Sequence, residues 1–305
     1  MMWTKTAHRG VAVGAPLVSA LLLAGACDLR QSGTLSDDAS TLPDATVEGG
    51  GLDVQSEGSV DDGPTSDVVD AAVTPKTFAG LEYLFRADEG ITFDAGVVVE
   101  WDDQSGKNDP TRNAFPGTYP DPDGGIAATF APPSVINPGF AAVFFANGQG
   151  LRTGKLAAPL PDPTTVFLIA GKDPPFTNPN YLFDSNNKAA QHGMTVFADG
   201  RLCQVAPTNG KCSLGPLTKP MAIVAVYNGA GSFVLQNANR SDAGTASPGP
   251  VNSIDGLTLG SYSGGFSVGF GGYIAEFALY SRQLSDTEIS QLNAYAAKRY
   301  GIVIQ

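Results

Sequence analysis

The run Gly272-Tyr273-Ile274-Ala275-Glu276-Phe277-Ala278-Leu279-Tyr280-Ser281-Arg282-Gln283-Leu284-Ser285-Asp286-Thr287-Glu288-Ile289 reads as a strand that passes straight into a helix. Tyr273, Ala275, Phe277 and Leu279 alternate with Ile274, Glu276, Ala278 and Tyr280, which is strand periodicity and predicts two distinct faces. Glu276 is the only charge in the strand and is expected to pair with an arginine, Arg86 or Arg282. Ser285 is placed to cap a helix, with Glu288 three residues on to return the bond. Leu284 and Ile289 fit a hydrophobic staple, and Leu292, Tyr295 and Ala296 extend an apolar stripe. Lys298 and Arg299 suit the negative end of the helix dipole, and Gly301 is placed to stop it.

Upstream of this unit the chain is a series of short apolar runs separated by Gly, Pro and Asn. Strands are predicted at Leu81–Arg86, Val97–Trp101, Phe140–Phe145, Tyr181–Asp184, Gly193–Ala198, Met221–Tyr227, Ser232–Gln236 and Leu257–Tyr262. The run from Thr164 to Ala170 is almost continuously apolar, as a strand buried on both faces should be. With 37 glycines, 22 prolines and only 16% charged residues, the composition favours a turn-rich β protein over a helical one. Regular short strands closed by one helix predict two stacked sheets.

Two further motifs stand near the start of this β region. One is Arg86-Ala87-Asp88-Glu89-Gly90. The other is Trp101-Asp102-Asp103-Gln104-Ser105-Gly106-Lys107-Asn108-Asp109. With the segment from Gly272 to Gly301, they resemble the bacterial laminin-G-like domains of the concanavalin A-like lectin/glucanase superfamily. Trp101, Asp103, Ser105, Gly106 and Asn108 carry the match in the second motif, and the resemblance spans roughly Leu81 to Ile302. It implies an all-β, concanavalin A-like jelly-roll β-sandwich of two antiparallel sheets with a short C-terminal helix, occupying residues 77–305.

The N-terminus reads as an export signal over residues 1–26. Lys5 and Arg9 precede an apolar stretch, Val11 to Ala24, that is short for a membrane span. Leu21-Leu22-Leu23-Ala24-Gly25-Ala26-Cys27 resembles a bacterial lipobox, which implies lipidation at Cys27 and a membrane partner. Residues 27–76 are expected to be an acidic linker. Between Asp28 and Pro75 there are eleven acids against the single base Arg30. Such a stretch has too little apolar surface to fold and would span on the order of 40 Å as a coil. The charge of −12 is therefore concentrated in the linker, and no basic stripe for nucleic acid is present.

Cys203 and Cys212 flank Pro207-Thr208-Asn209-Gly210, a turn signal, and are expected to form a disulfide in an exported protein. Asp102, Asp103, Ser105, Asn108 and Asp109 supply oxygen ligands in one loop, enough to consider calcium. Residues of these types also bond to their own backbone in turns. Tyr119, Phe176, Tyr181, Tyr262 and Phe266 lie in or beside Gly/Pro/Asn-rich loops, where aromatic rings could form a sugar platform. Glucanases of the resembled superfamily carry Glu-x-Asp-x-Glu on one strand. Here Glu100-Trp101-Asp102-Asp103-Gln104 ends in an amide that cannot transfer a proton. His192, the mature chain's only histidine, is expected on a surface loop, with no Gly-x-Ser-x-Gly elbow to serve. The expectation is thus a lipid-anchored envelope protein that binds carbohydrate or another envelope component and catalyses nothing. A structural envelope protein and a divergent polysaccharide-active enzyme are the alternatives.

Overall fold

The structure, a computed structural model, describes residues 72–116, 129–131, 140–146, 148–172, 175, 180–186, 192–205, 211–217, 220–241, 253–264 and 269–305. All belong to one compact unit, Ser66–Gln305. The export signal, the lipobox with Cys27, the linker up to Ala71, and Tyr119, Phe176 and Phe266 lie outside the described residues. Among the described residues no helix is long and apolar enough to cross a membrane.

In chain order the strands are β1 (Leu81–Arg86), β2 (Ile91–Asp94), β3 (Val97–Trp101), β4 (Phe115–Pro116), β5 (Thr129–Ala131), β6 (Ala142–Phe145), β7 (Leu151–Arg152), β8 (Leu160–Pro161), β9 (Thr164–Gly171) and β10 (Asn180–Ser185). They continue as β11 (Gly193–Val196), β12 (Arg201–Val205), β13 (Cys212–Pro216), β14 (Met221–Tyr227), β15 (Phe233–Gln236), β16 (Asn239–Ser241), β17 (Ser253–Ile254), β18 (Leu257–Leu259) and β19 (Gly272–Tyr280), followed by the helix α1 (Asp286–Tyr300). A ten-stranded sheet runs β16-β15-β14-β9-β19-β6-β5-β3-β2, with β1 also paired to β19. A seven-stranded sheet runs β13-β12-β11-β10-β18-β7-β4. The recorded pairings are antiparallel, so the chain is an all-β sandwich with one C-terminal helix.

Two apolar layers follow from this order. The inner layer lies between the sheets and joins Tyr83, Phe85, Trp101, Leu168 and Phe277 to Leu182, Phe183, Met194 and Leu259. The outer layer lies between the ten-stranded sheet and α1, where Phe167, Ile169, Val224 and Tyr280 meet Ile289, Leu292 and Ala296. Strand β9 feeds both layers. Val166, Leu168 and Ala170 point inward and Phe167 and Ile169 outward, so its continuous apolar run has a physical cause.

The helix forms as its residues require. Ser285 Oγ accepts from the Glu288 N–H at 3.3 Å, and Glu288 Oε2 accepts from the Ser285 N–H at 2.8 Å. Arg282 grips the same carboxylate at 2.9 and 2.6 Å. Gly301 ends the helix at φ 64°, and its N–H donates to the Ala297 carbonyl at 3.0 Å.

The expected two faces of β19 are corrected by a β-bulge. Ile274 opposes Ala170 and Glu276 opposes Ile169, which leaves Ala275 as the extra residue. Ile274, Phe277 and Leu279 face the inner layer, while Tyr273, Ala275, Ala278 and Tyr280 face the helix. Glu276 faces α1 together with Ala278 and Tyr280, as alternation has it. It is fully buried there, and neither Arg86 nor Arg282 is its partner. Tyr300 and Tyr295 donate their hydroxyls to its Oε2 at 2.6 and 2.8 Å. Arg86 instead pairs with Asp88 and Glu89, and Arg282 with Glu288.

Candidate functional site

The outer face of the seven-stranded sheet carries a polar row that the strand pairing assembles. Arg152 on β7 opposes Thr258 on β18, and Thr258 opposes Asp184 on β10. Each sits among core residues. Leu151, Leu257, Leu259 and Phe183 point into the sandwich, so their polar neighbours must point out. Arg152 Nε donates to Thr258 Oγ1 at 3.1 Å, and Thr258 Oγ1 donates to Asn186 Oδ1 at 2.8 Å. Ser263 ties the row together from above. Its N–H and Oγ–H donate to Asp184 Oδ2 at 3.0 and 2.7 Å, and its carbonyl accepts from Arg152 at 2.7 Å.

Asp184 is fully buried and its second oxygen, Oδ1, has no hydrogen-bond partner among the described residues. Burial pushes its carboxyl up to about 6, opposed by the Ser263 hydroxyl and amide, a further amide, and the charge of Arg152. Gly193 on β11 leaves the space that Oδ1 uses, since a Cβ there would stand 2.9 Å from that oxygen.

Two of the aromatic residues marked in the sequence meet beside this row. Tyr181 on β10 and Tyr262 pack with ring centroids 5.1 Å apart, and both are half-buried. The Tyr181 phenol is pushed up to about 12 by burial, then by the charge of Asp184 and by Tyr262. The segment carrying Tyr262 is fixed at its base. Gly260 takes φ 73°, its N–H donates to the Leu182 carbonyl at 2.7 Å, and Ser261 bridges to Gly269. Tyr262 then folds its ring over Gly264, where a Cβ would come within 2.1 Å of it.

The loop considered for calcium is organised otherwise. Asp103 Oδ1 accepts from the Leu84 and Ser105 amides at 2.9 and 3.0 Å, and Oδ2 accepts from Ser105 Oγ and Arg112 Nε at 2.7 and 3.0 Å. Asp109 caps a 3-10 turn through the Thr111 amide at 2.9 Å. Asn108 takes φ 52°. Asp102 accepts from Asn113 at 2.9 Å, alongside Glu100. The five residues therefore do not converge on one point, and no cluster of three or more His, Cys, Asp or Glu able to hold a metal is found among the described residues. The loop instead ties β1 to the segment after β3.

Cys203 and Cys212 are bonded across β12 and β13, where they stand in register. His192 is corrected from a surface loop to the interior, with no exposed area. Its Nε2 lies 3.1 Å from Thr164 Oγ1 and its Nδ1 3.6 Å from Asp162, and its ring packs on Tyr227. Burial lowers its basicity to about 3 and raises the Asp162 carboxyl to about 6. With Thr164 also fully buried, no substrate reaches this arrangement.

Arg152, Thr258 and Asp184 carried no signal as a set before pairing was known. Thr258 stands alone between Leu257 and Leu259, whereas Arg152 and Asp184 are each followed by a further polar residue, Thr153 and Ser185, and look like ordinary strand ends.

No protein-family model matches the chain, and no curated protein matches it. Solved structures do. The chain is similar to the sialidase of Trypanosoma rangeli, at 13% identity and a TM-score of 0.49, over 73% of this chain and 34% of that one. It therefore spans about a third of the sialidase's length. It is similar to domain 4 of AbnA, an extracellular arabinanase from Geobacillus stearothermophilus solved with arabinotriose, at 14% identity and a TM-score of 0.45, over 70% and 98% of the two chains. An arabinofuranosidase complexed with arabinofuranosyl-xylobiose matches at 15% identity and a TM-score of 0.49, over 71% and 58%. At these identities no residue role passes from them to this chain. They do correct one expectation, that the chain catalyses nothing: the sialidase and the arabinofuranosidase are enzymes, and that reading is given up.

Proposed function

We propose that the domain engages carbohydrate on the outer face of its seven-stranded sheet. The observation that carries this reading is the pair Tyr181–Tyr262 standing beside the buried row of Arg152, Thr258 and Asp184. Aromatic faces next to a few fixed polar groups are what a sugar ring, apolar on its faces and hydroxylated at its edge, requires. On this reading the sandwich is a laminin-G-like, concanavalin A-like jelly roll, spanning residues 77–305. The chain is exported and held at the inner or outer membrane through lipid on Cys27, and residues 27–76 are its tether. Another envelope component is the rival ligand.

A polysaccharide panel titrated against the full chain, with and without calcium, tests the reading. Binding should appear and weaken about fivefold in Tyr262→Ala, as expected for the loss of one ring contact of roughly 1 kcal/mol. Silence toward every glycan, or unchanged binding in that variant, would overturn it. The same panel carrying a reporter group at the reducing end measures hydrolysis. Turnover of any glycan would favour a polysaccharide-active enzyme over a binding module alone.

A further inference from the structure

A groove of about 560 Å³ lies between α1 and the hairpin of β15 and β16, on the far side of the larger sheet from Tyr181 and Tyr262. Phe233 and Leu235 of β15 and Ile304 beyond the helix form one wall. Ile289 and Asn293 of α1 form the other, and Asp286 stands where the helix begins. Asn293 interrupts an otherwise apolar surface. It is only 4% exposed, yet its Oδ1 has no hydrogen-bond partner among the described residues. A buried acceptor left without a donor destabilises the fold, and leucine would fill similar space without that cost. Nor does an ion pair join Asp286 to any described residue.

We propose that this groove binds a short apolar peptide, in extended form and with a free amino terminus. An extended residue turns its own N–H and C=O to the same side. One asparagine amide carries an acceptor and a donor together and answers both. The torsion that aims the Asn293 amide is soft, so the pairing needs no movement of the helix. Asp286 is complementary in charge to the ammonium of such a peptide. Asn293 lies two turns further along α1, about 10 Å, and three extended residues span roughly the same distance. The ammonium and the backbone of the third residue are therefore held at once, with apolar side chains against Leu235, Ile289 and Ile304. A sugar ring is a poorer match here. Phe233, the aromatic residue of the groove, is buried with the Arg240 guanidinium over its ring at 3.8 Å, and it offers no open face. The site does not rest on the carbohydrate reading of the other sheet.

The probe is a pool of pentapeptides of Ala, Val, Leu and Ile with a free amino terminus and fluorescein at the carboxyl end, titrated against the full chain by anisotropy. Binding should appear, and acetylating the amino terminus should weaken it about fivefold. Asp286→Asn should weaken the free pool by the same factor and leave the acetylated pool unchanged. Asn293→Leu should weaken both pools about fivefold or more while the urea midpoint stays level or rises, which loss of a purely structural asparagine would not do. Ser290→Trp, at an exposed position on the groove's lip, should abolish binding, and with the acetylated pool it decides the matter if Asn293→Leu does not fold. Tyr262→Ala should change nothing. Silence toward the pool, indifference to acetylation, or binding unaltered by Asn293→Leu and Ser290→Trp would overturn the proposal. So would displacement of the peptides by a polysaccharide, or by unlabelled protein added in excess, the mark of a second copy in the groove.

Discussion

Glutamine in place of Glu276 should make stability less dependent on pH, with a sign that can be worked out. Burial pushes the Glu276 carboxyl from its ordinary 4.5 to about 7, against the opposing hydrogen bonds of Tyr300 and Tyr295 and the charges of Arg299 and Arg86. The folded protein therefore holds a proton that the unfolded chain has released between pH 4.5 and 7. Folding is stabilised in full below 4.5, loses that stability as pH rises through about 7, and is level above it. At 1.36 kcal/mol per pH unit the interval corresponds to about 3 kcal/mol. Glutamine keeps the shape and an acceptor for one tyrosine hydroxyl and has no charge to bury. Glu276→Gln should match the parent within about 1 kcal/mol at pH 4.5 and exceed it by about 2–3 kcal/mol at pH 8. Urea titrations at half-unit pH steps, followed by the fluorescence of buried Trp101, give both curves. The difference between variant and parent isolates Glu276 from Asp162 and Asp184, which titrate in the same direction. A difference that stays flat from pH 4.5 to 8 would refute the reasoning.

Gly260→Ala should cost about 3 kcal/mol or more, since a Cβ would lie 2.0 Å from the Phe145 ring and the backbone stands at φ 73°. A thermal midpoint within a degree or two of the parent's would contradict that. Replacing Cys203 and Cys212 together by serine should lower stability by about 2–3 kcal/mol, because their bond closes a loop of sequence separation 9. A urea midpoint unmoved by the double substitution would show that the unfolded chain gains no freedom from it.

The C-terminal helix could be read almost atom by atom from sequence because its signals are local. Ser285 and Glu288 answer each other across one turn, Leu284 and Ile289 flank that cap, and Gly301 acts on the carbonyl of Ala297, one turn back. The faces of β19 could not, because a bulge depends on what the neighbouring strand offers, and Ala275 looks like any other alternating residue. The same limit hid the partner of Glu276. Alternation set it on the side that proved correct, but the groups waiting there are phenols from a helix 19 and 24 residues later. In the site, Tyr181 and Tyr262 were visible as rings beside turns. Their neighbours Arg152, Thr258 and Asp184 come from three segments that only register brings together. The loop at Asp103 shows the converse. Its oxygen-rich composition suggested a cation, whereas the oxygens of Asp103 answer the amides and the guanidinium of the fold itself.

Strand β19 follows the other described strands in the chain, yet it stands mid-sheet, with β9 on one edge and β6 and β1 on the other. Until Gly272–Tyr280 leaves the ribosome, β1 has no partner and β6 and β9 have no strand between them. A nascent chain stalled anywhere earlier holds two unfinished half-sheets with bare inner edges. Closure of the larger sheet is thus withheld until its central strand is in place, and every strand before it must wait without a finished neighbour.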